Sequence, residues 1–137
     1  MSPDILYRFT KQLPPADVHA LYLEAGWISQ ETDPATLVPM IENSFAVCAA
    51  FDGTRLIGLM RALSDGVSDA YMLDLAVLTE YRRRGIGKAL VQKLSGYLRQ
   101  SGIDWIVCIG APGTEEFYRT TGLNVMSSHI PYRVPQK

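Results

Sequence analysis

The chain has 137 residues, 47% of them hydrophobic and 20% charged, with a formal net charge of −1. That length suits one compact domain, residues 1–137, with a single sizeable core. The near-neutral balance argues against a broad nucleic-acid surface, and no apolar run approaches the ~20 residues of a membrane span.

The first residues carry Asp4 and Arg8 and no long apolar stretch, so no secretory signal is expected and a cytoplasmic location is. Residues 6–10 read as a short first strand. A helix is expected over about 15–25, with Val18, Leu21, Tyr22 and Ala25 as its apolar stripe and Gly26 as its stop. A second helix is expected over about 34–42, because Asp33 is a good N-cap and Pro34 fits the first helical position. The connection 26–32 carries Trp27, Gln30 and Glu31. An aromatic ring beside carboxylates can receive a cationic amine, so Trp27 and Glu31 are candidate substrate contacts; a tryptophan packed at the core edge beside solvated acids is the competing reading.

Residues 45–51 form a strongly apolar strand, Asp52-Gly53 signals a turn, and 56–62 return as the partner of a hairpin. A polar turn around Gly66 leads to a central strand over 70–78. After the helix that follows, Gly102 marks a stop, and 105–109 reads as a short buried strand, parallel to the central one because a crossover helix joins them. A short helix is expected over 115–120, with acids in its first turn and Gly122 behind it. Residues 123–134 are expected to supply one or two final strands. Cys48 and Cys108 lie in apolar strand-like runs and read as buried, reduced thiols. Isolated cysteines with only two histidines, His19 and His129, offer no metal-ligand spacing, so no metal is expected.

The chain is organised around residues 73–98. Leu73, Leu75 and Val77 alternate as a strand, and Ile86, Leu90, Val91, Leu94, Tyr97 and Leu98 recur at helical spacing. Between them stands Arg82-Arg83-Arg84-Gly85-Ile86-Gly87-Lys88. A strand, a basic glycine turn and a helix, in that order, make an anion site: the first-turn amides have no backbone partner, and the helix dipole adds partial positive charge. The glycines let a ligand lie against the main chain. A Walker loop requires glycine where Arg82 stands and Ser or Thr where Ala89 stands. A dinucleotide fingerprint requires glycine at Leu90. Neither pattern fits.

What remains, Arg-x-x-Gly-x-Gly on Arg82, Gly85 and Gly87 directly after Leu75-Ala76-Val77, resembles the acyl-CoA pyrophosphate loop of the GCN5-related N-acetyltransferase (GNAT) family. The expected order β-α-α-β-β-β-α-β-α-β matches that family over almost the whole chain. The resemblance implies an α/β (α+β) fold: a mixed, mostly antiparallel central sheet with one parallel pair of strands that splay apart, flanked by about four helices. It implies acetyl-CoA as co-substrate. Leu75, Ala76 and Val77 would bind it through main chain, and Arg82, Arg83, Arg84, Gly85, Ile86, Gly87 and Lys88 would hold its pyrophosphate.

A tyrosine after the splayed strand is a further feature of the family, and it falls on Tyr118 in Glu116-Phe117-Tyr118. There it would stand beside the departing sulfur of CoA. A phenol of pKa about 10 is a weaker acid than a thiol of about 8.5, so full proton transfer to thiolate is uphill by about 2 kcal/mol; a hydrogen bond to the developing charge is the expected role. The acceptor amine, with pKa near 10.4, is only about one part in 10³ neutral at pH 7, so a base or a water chain is needed. Asp74 is the candidate carboxylate if a bulge re-aims it; a structural partner to a neighbouring loop is its other reading. Tyr71 stands where many family members place an acid. The developing oxyanion would meet a backbone N–H near Leu75 to Val77, a donor typically worth about 10²–10³ in rate. The expected activity is N-acetylation of a primary amine, of a small molecule by the character of Trp27, Glu31 and Asp33. A CoA-binding regulatory module without turnover is the alternative, and a homodimer could complete the sheet with the tail.

Overall fold

The structure is a computed structural model that describes residues 4–137. Five strands form one sheet in the order β1-β2-β3-β4-β5: β1 Ile5–Phe9, β2 Ala46–Asp52, β3 Arg55–Ser64, β4 Asp69–Val77 and β5 Trp105–Cys108. The first four are antiparallel to one another in succession, and β5 pairs parallel with β4. The four helices are α1 Pro15–Glu24, α2 Val38–Glu42, α3 Ile86–Gln100 and α4 Glu115–Thr120. This is the mixed sheet with one parallel pair that the family resemblance implies.

Strands β2 and β3 are buried along almost their whole length, as expected of strands covered on both faces. One cover is α3, whose apolar stripe of Ile86, Leu90, Val91, Leu94 and Leu98 is buried. Each such side chain contributes about 1.5–3 kcal/mol of burial. The other is α1, whose Val18, Leu21 and Tyr22 are buried. Acids on α1 tie it to β3 and to the turn after β4: Asp17 accepts from the Leu56 amide at 3.1 Å, and Glu24 accepts from the Thr79 hydroxyl at 2.6 Å.

Three sequence expectations change. The helix expected over 34–42 begins as a 3-10 turn, Pro34–Leu37, capped by Asp33 through the Ala35 amide, before α2 proper. Pro39, at the start of α2, has no N–H to give, which suits this break. Strand β5 is less buried than its sequence suggests, with Trp105 48% exposed, because it lies at the sheet edge. Among the described residues no strand follows β5. Ile130, Tyr132 and Val134 alternate like a strand but are 70%, 88% and 88% exposed. Pro131 and Pro135 between and beside them cannot donate to a ladder, and the chain turns just before them, where the His129 amide bonds to the Met126 carbonyl. No helix is long and apolar enough to cross a membrane among the described residues.

Candidate active site

Strand β4 changes character midway. From Ala70 to Met72 it is paired on both sides, with β3 and with β5, the β5 pairs being Asp69↔Trp105, Ala70↔Ile106, Tyr71↔Val107 and Met72↔Cys108. Beyond Met72 the pairing with β5 ends, while pairing with β3 continues to Val77. Leu75, Ala76 and Val77 therefore border an edge that the sheet does not use. The break coincides with a bulge. Leu59 pairs with Ala76 and Arg61 with Leu73, so Met60 alone faces Asp74 and Leu75. Asp74 takes the left-handed conformation, φ 59°, which costs a non-glycine residue roughly 1–2 kcal/mol.

After β4 come a 3-10 turn, Thr79–Tyr81, and the basic loop. Gly85 caps α3 at φ 77° with open space where a Cβ would stand. Its glycine requirement is conformational. Gly87 differs: a Cβ there would lie 3.3 Å from Phe117 Cζ and 4.0 Å from Val77 Cγ2. Its small size lets α4 close against the first turn of α3. Helical bonding starts with the Ala89 amide to the Gly85 carbonyl, 3.0 Å, and no side chain caps the end. The amides of Ile86, Gly87 and Lys88 are thus left for a ligand.

The three arginines are exposed but differ in their ties. Arg82 Nε donates to the Val77 carbonyl at 3.2 Å. Arg84 donates to the Glu80 carbonyl at 3.3 Å and lies over the Tyr81 ring. Arg83 has φ 63°. Lys88 is exposed in the first turn of α3.

Tyr118 is half-buried on α4, its ring edge-on to Phe117 at 5.0 Å. Burial raises its phenol above the ordinary value, and the Cys108 thiol beside it adds in the same direction. Cys108 is itself raised, chiefly by burial, with Tyr118 opposing. The phenol therefore stands where β5 leaves β4, next to a thiol of the protein. Tyr71 is also raised, first by burial and then by Cys108, and it pairs with Val107, the neighbour of Cys108 on β5. Cys48 is buried within β2, away from this opening, and burial pushes it up to about 11.

On the α1 side, Asp74 Oδ2 accepts two bonds of 2.8 Å, from Tyr22 Oη and from Arg61 Nε. Trp27 is 48% exposed and meets Tyr22 edge-on, ring centroids 5.3 Å apart. The fold thus brings Trp27 and Asp74 to either side of Tyr22. Glu31 is exposed on the same connection, with no such link to the strand. The sequence reading missed Arg61 and Tyr22 as partners of Asp74. The usable signal was a lone arginine in the apolar run 56–63, since charged residues are rarely buried unless paired. Of the histidines, His19 lies on α1 with a buried, unpartnered Nε2, and His129 stands 6.1 Å from Trp105. No group of three or more potential metal ligands occurs among the described residues.

Comparisons with known proteins bear on the family and the fold. A protein from Glycine max described as histone acetyltransferase TAP1 is 32% identical over 117 residues, covering 77% of this chain and 50% of that one. The chain thus spans about half the length of that relative. The solved structure of SP0256 from Streptococcus pneumoniae, described as a GNAT-family acetyltransferase, is 25% identical with a TM-score of 0.75, covering 98% of both chains. An aminoglycoside acetyltransferase from an uncultured soil metagenomic sample, in complex with sisomicin, shares the fold at 19% identity and a TM-score of 0.76, covering 97% of both chains. Residues 11–123 match the family described as Acetyltransferase (GNAT) family, and the chain belongs to that family.

Proposed function

We propose that this protein transfers the acetyl group of acetyl-CoA to a primary amine of a small molecule. The observation that carries the reading is the unused edge of β4 beyond Met72, lying next to the uncapped, cationic N-terminus of α3. A thioester carrier needs both: a groove for its pantetheine arm and a clamp for its diphosphate. The amides of Ile86, Gly87 and Lys88 and the charges of Arg82, Arg83, Arg84 and Lys88 suit the diphosphate. The main chain of Leu75, Ala76 and Val77 suits the pantetheine amides. When bound, the thioester supplies an activated acetyl carbon. The amine nitrogen bonds to that carbon, the carbon–sulfur bond breaks, and the amine proton leaves to solvent.

The chain's own groups divide the remaining work. A main-chain N–H of 75–77 stabilises the oxyanion as it develops. Tyr118, whose raised pKa keeps it protonated across the physiological range, donates to the departing sulfur. Of the two roles open to Asp74, the geometry favours the structural one, because Tyr22 and Arg61 already occupy Oδ2. Deprotonation of the amine then falls to water, with Asp74 orienting the strand. Trp27 and Glu31 border the side from which the acceptor enters. Among the similar proteins, one is described as an aminoglycoside acetyltransferase and one as a histone acetyltransferase. A loop that offers one ring and scattered acids fits a compact amine better than a long peptide.

The test is release of free CoA from acetyl-CoA in the presence of a panel of amines. At least one small amine stimulates release, and Tyr118→Phe lowers kcat by about 10²-fold or more while CoA affinity holds. CoA binding with no amine-stimulated release, and no effect of Tyr118→Phe, points instead to a regulatory CoA-binding module.

A further inference from the structure

Arg61 is the one charged residue within the buried run of β3. It is 9% exposed, and among the described residues its guanidinium donates two hydrogen bonds: Nε to Asp74 Oδ2 at 2.8 Å and Nη1 to Ser44 Oγ at 3.4 Å. Ser44 is 2% exposed and fixed in turn, donating to the Met40 carbonyl at 2.9 Å and accepting from Lys11 Nζ on its own carbonyl at 3.0 Å. From the other side Tyr22 donates to the same Asp74 oxygen. Two donors on separate elements, β3 and α1, thus converge on one carboxylate oxygen of β4.

That carboxylate belongs to the left-handed residue of the bulge, and the bulge directly follows the last pair between β4 and β5. A left-handed non-glycine residue persists only where its surroundings over-determine it. A buried ion pair is seldom worth more to stability than a well-packed apolar pair. A stabilising role alone therefore gives weak reason to place one here.

We propose that Arg61, assisted by Tyr22, is a positioning residue for acetyl transfer: it grips Asp74 Oδ2 so that the bulge aims the main-chain amides of 75–77 at the thioester. This rests on the function proposed above. Asp74 acts in it through its shape and its accepting oxygen, not as the base that takes the amine proton. Trp27 leans on Tyr22, so the acceptor loop abuts the same grip.

The experiment compares Arg61→Met, Asp74→Asn and the double variant in CoA release, CoA binding and hydrogen exchange. Arg61→Met lowers kcat on the order of 10²-fold, the cost of a misplaced reacting group, with CoA affinity changed less than about threefold. Asparagine tolerates the left-handed region and can still accept from Tyr22. Asp74→Asn alone therefore keeps an accepting oxygen for Arg61 and Tyr22 and loses about tenfold or less in kcat, whereas the double variant lacks the arginine and stays as slow as Arg61→Met. Wild-type kcat in folded Arg61→Met overturns the proposal. So does a double variant that recovers wild-type kcat, since that result makes an unpaired buried charge, and not the grip, the cause of the loss. If the unmodified protein releases no CoA with any amine, the parent reading fails separately. Exchange still decides the grip, because it needs no turnover: faster exchange confined to residues 73–77 supports it, and a uniform rise across the sheet overturns it.

Discussion

The two halves of β4 are made of similar residues and are used differently. From Ala70 to Met72 the strand is paired on both sides, and Ala70 and Met72 are buried at 3% and 1% exposure. From Leu73 to Val77 it is paired on one side only, is bulged, and carries the left-handed Asp74. The first half satisfies its backbone within the protein. The second keeps an edge in reserve, held open by β5 turning away and by the arginine grip beneath. Exposed edges invite association with other strands. Here the edge is short and ends against a basic loop, which suits a small ligand better than another sheet.

If the halves divide stability from chemistry, substitutions in each should separate the two. The largest effect falls in the first half. Met72→Ala removes a fully buried side chain and costs about 2–5 kcal/mol of folding stability, read from the urea midpoint. CoA release per folded molecule should stay near that of the parent; loss of turnover without loss of stability would break the division.

Next comes the loop beside the second half. Gly87→Glu places bulk 3.3 Å from Phe117 and negative charge where the diphosphate is expected. CoA affinity measured by calorimetry should fall at least about tenfold, or 1.4 kcal/mol, and unchanged affinity would remove the loop from the site. The smallest effect concerns pH. Burial raises the Tyr118 phenol, so the fold prefers its neutral form. That preference contributes fully below the unfolded value of about 10 and is lost as pH climbs through the higher folded value. The difference in tyrosinate absorbance between the parent and Tyr118→Phe should stay flat up to about pH 10. Ionisation at or below that pH would contradict a half-buried donor at the opening.

The elements that border the candidate site are legible in the sequence. Helix α3 announces itself by five buried apolar residues at helical spacing, and the basic glycine turn before it by residue type alone. Short helices were legible through caps and stops, as with Asp33 and Gly122. The tail was misjudged because alternation at Ile130, Tyr132 and Val134 reports a capacity to pair, whereas a strand also needs a neighbour to pair with. The role of Gly87 was half legible. Its small size was evident, but the ring that requires it, Phe117, lies 30 positions along the chain.

Local chemistry written in consecutive residues was thus decided by the sequence itself: which segments are strand or helix, and where unpaired amides and cations gather. Folding decided what depends on distant partners. Where β5 abandons β4, what holds Asp74, and which thiol meets Tyr118 all involve groups 10 to 52 residues apart. Hydrogen bonds and ion pairs act over a few ångströms of space, and separation along the chain does not report that distance.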